Sequence, residues 1–247
     1  MGLAEIIANW IRIQVEQAKA EGVVVGLSGG IDSSVVAALS RKAVGDRMLG
    51  LIMPCGGSPM DEKDALLVAS QFGIKTERID LGVVCGGLLK VLPPGNKLAL
   101  ANLKPRLRMI TLYYYANNFN YLVAGTGNKS EAMVGYFTKY GDGGVDILPI
   151  GSLVKAQVRE LAGELGIPKE IIDKPPSAGL WDGQTDEEEI GITYENLDKS
   201  ILAIESGMTE DIDSHILSKV ENLIKVSAHK RALPQIFDSV QDIWFRS

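Results

Sequence analysis

In the segment Val-Val-Val-Gly-Leu-Ser-Gly-Gly-Ile-Asp-Ser-Ser, residues 23–34, an apolar run is followed by a glycine turn, then by hydroxyl side chains and a carboxylate. The valines predict a buried strand, and the residues after the turn predict a helix. Gly29 and Gly30 can adopt backbone angles closed to other residues, so successive N–H groups can converge on an anion at the positive end of that helix. Further donors are the hydroxyls of Ser28, Ser33 and Ser34. The segment predicts a polyphosphate-binding loop.

The carboxylate of this loop, Asp32, cannot bind phosphate directly because like charges repel. Its predicted role is to hold a Mg²⁺ ion that bridges phosphate oxygens. The loop has neither the lysine of the G-x-x-x-x-G-K-[ST] pattern nor the G-x-G-x-x-G pattern, which disfavours kinase-type and dehydrogenase-type sites. A simple strand-to-helix turn made of serine and glycine stays open as the alternative.

Composition is that of an ordinary globular protein. The 247 residues are 46% hydrophobic and 23% charged, so we expect a single domain spanning residues 1–247 with a substantial core. The net charge of −6 disfavours nucleic acid and anionic membranes as partners. Neither a long apolar stretch nor a signal peptide is recognisable. We therefore expect a cytoplasmic location.

The two cysteines, Cys55 and Cys85, are far apart in sequence and neither belongs to a C-x-x-C pair. Zinc binding, thiol redox chemistry and a disulfide framework therefore lack support. We expect both thiols to be unreactive packing residues.

Hydrophobic periodicity predicts alternating strands and helices. Parallel strands joined by helices give a doubly wound α/β sheet, whose ligands bind at the carboxyl ends of the strands. The loops at Ser28, Pro54 and Thr126 follow predicted strands, so we expect them to share one cleft. The C-terminal third is predicted to be mainly helical. The predicted strands are Val23–Leu27, Met48–Met53, Thr76–Asp80 and Tyr121–Ala124. We expect the second and third of these strands to be buried. The predicted helices begin near Leu3, Ile31, Asp61 and Leu98.

A second informative segment, Gly-Thr-Gly-Asn-Lys-Ser-Glu at residues 125–131, repeats the arrangement of strand, flexible turn and helix. Glu131 is a candidate second metal ligand, and its alternative role is that of a carboxylate favoured by the helix dipole. Residues 135–146 crowd aromatics, glycines, a lysine and two aspartates together with no regular period. Core segments do not have this composition, which favours the functional role of Glu131 over the alternative.

The first loop resembles the S-G-G-x-D-S loop of the N-type ATP pyrophosphatases, which have an adenine nucleotide alpha hydrolase-like fold. Six blocks in sequence make a more specific resemblance, to ammonia-dependent NAD synthetases. They are GLSGGIDSS, the run Arg106-Leu107-Arg108-Met109, GTGNKSE, GYFTKYGDGGVD, PPSAGLWDGQTDEEE and the late pair His229-Lys230.

This resemblance implies a homodimer that converts deamido-NAD, ATP and ammonia into NAD, AMP and pyrophosphate through an adenylated nicotinate carboxylate. The enzyme would be a ligase that forms a C–N amide bond in the last step of NAD biosynthesis. No glutaminase domain is recognisable, so free ammonia is the expected nitrogen donor. The segment Pro54–Met60 stands where the family often has a glutamine-bearing adenine loop, and its ATP contacts are left open.

The family's functional residues map onto this chain by motif. Asp32 and Glu131 would bind Mg²⁺, and Tyr136 and Phe137 would be aromatic neighbours of the substrate. No residue is assigned as a general acid or base. The residues implied to bind ATP are Gly26, Leu27, Ser28, Gly29, Gly30, Ile31, Asp32, Ser33, Ser34, Thr126, Lys155 and Ser177. Those implied to hold deamido-NAD are Arg106, Lys139, Asp146, His229 and Lys230.

Simpler roles remain open for several of these residues. Lys155 begins an amphipathic helix and could be exposed with no ligand, and Ser177 could serve only in a turn after two prolines. Arg106 could lie on a solvated helix face. The family pattern favours Arg106 as the substrate-binding arginine and makes Arg108 the second candidate. His229 could satisfy terminal carbonyls of a helix.

The stretch Ser177–Glu189 resembles the family's active-site lid, which would exclude water from the acyl-adenylate. Thr185 and the acids after it look like a capping box, and the run Asp186–Glu189 suits the first turn of a helix. Two rival functions are another amidating or thiolating enzyme with this loop, including one acting on transfer RNA, and a nucleotide-binding regulator without turnover. Net charge and cysteine content disfavour the transfer RNA enzyme, and the presence of both metal carboxylates disfavours the regulator.

Overall fold

Strands and helices alternate through the first half of the protein, and helices make up most of the second half. The computed structural model describes residues 2–56, 59–181 and 183–236. In chain order the elements are α1 (Leu3–Gln17), β1 (Gly22–Gly26), α2 (Ile31–Val44), β2 (Met48–Ile52), α3 (Pro59–Phe72), β3 (Lys75–Arg78), α4 (Gly82–Val91), α5 (Lys97–Ala101), α6 (Leu103–Phe119), β4 (Tyr121–Val123), α7 (Lys129–Val134), α8 (Lys155–Leu165), α9 (Lys169–Ile172), α10 (Asp186–Ile190), α11 (Tyr194–Ser206), α12 (Ser214–Val226) and α13 (Ala228–Arg231).

The four strands form one parallel sheet in the order β3-β2-β1-β4. Val24 at the centre of β1 lies opposite Leu49 on one side and Val123 on the other. Each parallel neighbour requires a crossover, which helices supply. The predicted α/β parallel sheet is confirmed.

One detail of the strand prediction is wrong. The stretch Thr76–Asp80 was expected to be a buried strand, but β3 covers Lys75–Arg78 and its side chains are exposed or half-buried. The reason is its position: β3 pairs only with β2 and forms an edge of the sheet. An edge strand with charged side chains resists pairing with other chains.

Helices cover both faces of the sheet. Val23 and Val25 of β1 pack on one side with α1, α2 and α8, whereas Val24 packs on the other with α4 and α6. This division follows from the alternation of side chains along a strand. The valine run is buried on both faces because the central strand of a doubly wound sheet has no solvated side.

A third core joins α7 to the C-terminal helices. Its buried members include Val134, Leu197, Ile201 and Val220. The predicted helical C-terminal third is thus observed, and its packing fixes α7 against α11 and α12. None of the described helices is both long and apolar enough to cross a membrane.

The two cysteines are buried free thiols in the core between the sheet and helices α4 and α6. Burial, followed by the neighbouring Cys85, raises the pKa of the Cys55 thiol to about 11. A thiol with a raised pKa is protonated at neutral pH and is a poor nucleophile. The expectation that these residues serve in packing agrees with this environment.

Candidate functional site

Three loops meet at the carboxyl edge of the sheet, where doubly wound folds bind ligands. They are residues 27–30 after β1, 53–56 after β2 and 124–128 after β4. Because the three strands are parallel neighbours, the loops lie side by side despite their separation in sequence. The expectation that these loops come together at one edge of the sheet agrees with the strand order. Gly57 and Ser58 of the Pro54–Met60 segment lie outside the described residues.

The loop after β1 is held by its own serines. The Ser33 and Ser34 hydroxyls donate to the Gly30 carbonyl at 2.9 and 2.8 Å, and the Ser28 hydroxyl accepts from the Gly30 N–H at 3.3 Å. Ser28 is exposed, while Ser33 and Ser34 are buried. The loop is therefore shaped before any anion arrives, with Ser28 on its accessible side.

Gly29 requires glycine for two independent reasons. Its φ is +78°, in the left-handed region, and a Cβ here would lie 2.3 Å from the Asp61 carbonyl oxygen of α3. Gly29→Ala should therefore push the loop away from α3 and weaken binding of an ATP analogue at least about 10-fold, since the backbone angle alone costs roughly 1–2 kcal/mol. Isothermal titration calorimetry measures this affinity.

The matched control is Gly163→Ala on α8, where a Cβ meets nothing within 4 Å. Alanine in a helix interior stabilises by about 0.5–1 kcal/mol relative to glycine, so Gly163→Ala should raise the melting temperature and leave the affinity unchanged. Wild-type affinity in Gly29→Ala would refute the role of the loop.

Lys155 connects the two predicted metal ligands. Its Nζ lies 2.5 Å from Oδ2 of Asp32 and 3.2 Å from Oε1 of Glu131. The lysine side chain is 1% exposed, so the alternative of a solvated helix-start lysine is excluded. Residues from α2, α7 and α8 thus converge on one point beside the phosphate loop.

The charges at this point are strongly coupled. Burial is the largest influence on Glu131 and raises its pKa to about 7; Lys155 opposes this shift and Asp32 adds to it. Burial alone would lower the pKa of Lys155, but Asp32 and Glu131 outweigh it and raise that pKa above its ordinary value. Lys155 is therefore a permanent cation between two carboxylates.

The same two carboxylates fit Mg²⁺. They are hard oxygen donors, and both come within hydrogen-bond distance of a single cationic nitrogen, so they are close enough to share one cation. Among the described residues, no group of three or more His, Cys, Asp or Glu side chains is arranged to hold a metal. Mg²⁺ typically uses one or two carboxylates together with substrate phosphates and water, and Asp32 and Glu131 match that pattern.

Several supporting residues were not predicted from the sequence. Asn128 is fully buried, donates to Oδ1 of Asp32 at 3.0 Å and caps α7 by accepting from the Glu131 N–H. Asp198 of α11 accepts from the Ala156 N–H at 2.8 Å and from the Ser130 hydroxyl. These bonds fix the helix starts that carry Glu131 and Lys155. Asn128 had a visible signal, because asparagine three residues before a carboxylate is typical of a helix cap.

The acidic run at the end of the predicted lid does more than favour a helix start. Helix α10 begins at Asp186 as expected, although in the described chain the Thr185 side chain makes no capping hydrogen bond. Asp186 is buried, and its two carboxylate oxygens lie 3.0 Å from the hydroxyl oxygens of Tyr136 and Tyr194. Glu189 accepts from Tyr136 at 2.8 Å. The C-terminal end of the lid is thus attached to the cluster around Lys155.

The preceding lid residues contact α6 and α5. Lys104 donates to the Leu180 carbonyl at 2.7 Å, and Lys97 Nζ lies 3.9 Å from the centre of the Trp181 ring. Ser177 is exposed and accepts from the Gly179 N–H, as a turn residue would. Thr126 is half-buried in the loop after β4. ATP contacts by Ser177 and Thr126 stay predictions.

Four of the five residues implied to hold deamido-NAD come together from three distant segments. Arg106 donates to the Lys139 carbonyl, and Lys139 in turn donates to the carbonyl of His229. Lys230 donates to the carbonyls of Gly135 and Phe137 at 2.7 and 2.9 Å. Lys139, Lys230 and Arg231 line a cavity of about 220 Å³. This cavity is rich in positive charge and suits an anionic ligand.

Asp146 and Arg108 occupy different surroundings. The Asp146 carboxylate accepts from the Val123 N–H at 2.8 Å and from the Tyr113 hydroxyl at 2.9 Å, which ties its loop to β4. Arg108 donates to the Met53 carbonyl at 3.2 Å, and burial lowers its pKa. A substrate role for Asp146 stays a prediction beside this structural one.

Comparison with known proteins agrees with the geometry. The sequence model of the NAD synthase family matches residues 3–234. An NH(3)-dependent NAD(+) synthetase of Carboxydothermus hydrogenoformans is 49% identical, over 94% of this chain and 95% of that protein. Among solved structures, an NMN synthetase from Francisella tularensis has a TM-score of 0.88 at 38% identity, covering 96% of this chain and 97% of that one. An NH3-dependent NAD synthetase from Campylobacter jejuni, solved with a nitrate ion, has a TM-score of 0.84 at 29% identity with the same coverages.

Proposed function

The chain belongs to the NAD synthase family, and on that premise we propose that it amidates deamido-NAD with ammonia to give NAD. ATP is consumed as a co-substrate and leaves as AMP and pyrophosphate. The observation that carries the proposal is the meeting of Asp32, Glu131 and Lys155 beside a preformed phosphate loop. Such a site serves to bind and polarise a polyphosphate.

The first step joins two anions and so depends on electrostatics. A nicotinate carboxylate oxygen forms a bond to the α-phosphorus of ATP, and the bond from that phosphorus to the bridging oxygen breaks, which releases pyrophosphate. The loop N–H groups and Ser28 orient the phosphates, while Lys155 places a fixed positive charge beside them. Asp32 and Glu131 would hold Mg²⁺, and the ion would neutralise further negative charge on the phosphates.

The second step transfers the acyl group to nitrogen. The nitrogen of ammonia forms a bond to the carbonyl carbon of the mixed anhydride and gives up one proton, the bond from that carbon to the AMP oxygen breaks, and AMP and the proton are released. Water would compete for the same carbon. The lid, attached through Leu180 and Asp186, excludes water at this stage.

The cation-lined cavity at Lys139 and Lys230 receives the phosphates of deamido-NAD, together with Arg106 and His229. We also propose a homodimer. Helices α4 and α6 expose large apolar side chains, of which Val83 is 83%, Val91 78% and Tyr114 64% exposed, and such a surface is typical of an interface. A cytoplasmic location stays a prediction from composition.

The direct test is a product assay. Purified protein with deamido-NAD, ATP, Mg²⁺ and ammonium should yield NAD, AMP and pyrophosphate in equal amounts. AMP and pyrophosphate without NAD would indicate a different acceptor, and a folded protein that binds ATP without cleaving it would refute the proposal.

A second candidate substrate is the corresponding mononucleotide. The Francisella tularensis structure, an NMN synthetase, is more similar to this chain in TM-score and identity than the Campylobacter jejuni NAD synthetase. The reaction would be the same, without the adenylyl half of the substrate. Running the product assay in parallel with deamido-NAD and nicotinic acid mononucleotide decides by the ratio of kcat/KM values, and we expect deamido-NAD to be preferred.

A further inference from the structure

Tyr194, the first residue of α11, places a phenol hydroxyl between two buried carboxylates. The hydroxyl oxygen lies 3.0 Å from Oε1 of Glu131 and 3.0 Å from Oδ2 of Asp186. Its ring lies 4.9 Å from the Lys155 ammonium, within the range of a cation–π contact. One side chain therefore touches a predicted metal ligand, the lysine beside it and the last segment of the lid.

Packing does not explain the hydroxyl. Tyr194 is 1% exposed and lies in the third core with Leu197 and Ile190, where phenylalanine would fill the same space. A buried hydroxyl is unfavourable unless it forms hydrogen bonds. In the described part of the chain, the hydrogen-bond partners of this hydroxyl oxygen are the two carboxylates. The hydroxyl therefore serves these polar contacts and not the packing of the core.

The contacts of Glu131 are divided unevenly between its two oxygens. Oε1 accepts from both Lys155 and Tyr194, whereas among the described residues Oε2 accepts no hydrogen bond. Two donors on one oxygen fix the rotation of the carboxylate and leave the other oxygen available for a cation. Groups that orient a metal-binding carboxylate in this way typically change metal affinity or activity about 10- to 100-fold when removed.

We propose that Tyr194 is a positioning residue, whose hydroxyl orients Glu131 for the ATP-bound Mg²⁺ and joins that carboxylate to Asp186 at the end of the lid. The inference rests on the proposed function. It assigns a role in nucleotide and metal binding to a residue of the C-terminal helical region, 63 positions away from Glu131.

The test is Tyr194→Phe, which removes the hydroxyl and keeps the ring. Binding of α,β-methylene-ATP, an analogue that resists cleavage at the reacting bond, is measured by calorimetry over a series of Mg²⁺ concentrations. The Mg²⁺ concentration that gives half of the full gain in affinity should rise about 10-fold. Affinity without Mg²⁺ should change little.

The matched control is Tyr115→Phe. Tyr115 of α6 also donates to a carboxylate, Glu77 of β3, at 2.6 Å, but neither residue belongs to the site. Its Mg²⁺ curve should superimpose on that of the wild type. In a Glu131→Gln background, Tyr194→Phe should produce no further shift, because the hydroxyl acts through Glu131.

Two results would overturn the inference. One is a Tyr194→Phe curve that superimposes on the wild type; the other is an equal loss of affinity with and without Mg²⁺, which indicates a purely structural role. If the wild type itself bound no analogue at any Mg²⁺ concentration, the proposed function would fail and this inference with it. Failure of Tyr194 alone leaves the wild-type product assay positive, so the two failures are distinguishable.

Discussion

Replacing Lys155 by methionine should destabilise the protein by about 3–5 kcal/mol, the usual cost of removing one partner from a buried ion pair. Lys155 is 1% exposed, while Asp32 and Glu131 are 18% and 15% exposed. Methionine has similar length and packs well, but it leaves two adjacent carboxylates without their cation. The free energy of unfolding, measured in urea, gives the size of the effect.

The effect should depend on pH in a defined direction. Burial, opposed by Lys155, already raises the pKa of Glu131 from its ordinary value to about 7, so the native state holds the carboxyl proton more tightly than the unfolded state does. The native state therefore loses stability as the pH rises from the pKa of this carboxyl in the unfolded state to its pKa in the native state. Without Lys155 the cost grows, and the deficit of Lys155→Met should be smaller at about pH 5.5 than at about pH 8.

Lys199→Met is the matched control, because Lys199 pairs with Glu195 on the exposed face of α11. Exposed pairs contribute little, so this variant should unfold like the wild type at both pH values. Equal stability of Lys155→Met and Lys199→Met would show that the buried cluster is not held as described.

Asp32→Asn should lower ATP cleavage by at least about 100-fold, the usual scale for losing an electrostatic group of the reacting centre. Asparagine has the shape of aspartate, so the fold should persist. It retains an oxygen for the Asn128 donor but loses the charge that attracts Lys155 and Mg²⁺. Pyrophosphate release under saturating substrates measures the loss.

The control for this substitution is Asp46→Asn, whose carboxylate is 96% exposed and pairs with Arg41 away from the cleft. Its turnover should equal that of the wild type. If Asp32→Asn were folded and retained turnover within a factor of about ten, the Coulombic role given to Asp32 would be wrong.

Hydrophobic periodicity predicted the α/β fold, and the resemblance of six sequence blocks predicted the family; both predictions are confirmed. The valine run, the glycine turn and the hydroxyls that follow it are contiguous, so their physics can be read within twelve residues. The exposure of β3 could not be predicted from such a local pattern. Its position at the edge depends on which strand lies beside it, which local periodicity does not encode.

The site was predictable where its residues follow strands, as Asp32 and Glu131 do. Lys155 was expected near ATP, but its pairing with both carboxylates emerges only when α8 packs beside α2. Tyr194 and Asp198 carry no local signal, because a tyrosine and an aspartate at helical spacing match an ordinary amphipathic helix. Their partners lie 63 and 68 positions away.

The most direct test of the proposed chemistry uses deamido-NAD labelled with oxygen-18 in both oxygens of its nicotinate carboxylate. If that carboxylate attacks the α-phosphorus, AMP recovered after one turnover carries one labelled oxygen and the NAD amide carries the other. Mass spectrometry of the two products measures both. Unlabelled AMP, or label in pyrophosphate, would contradict the acyl-adenylate and with it the role assigned to this site.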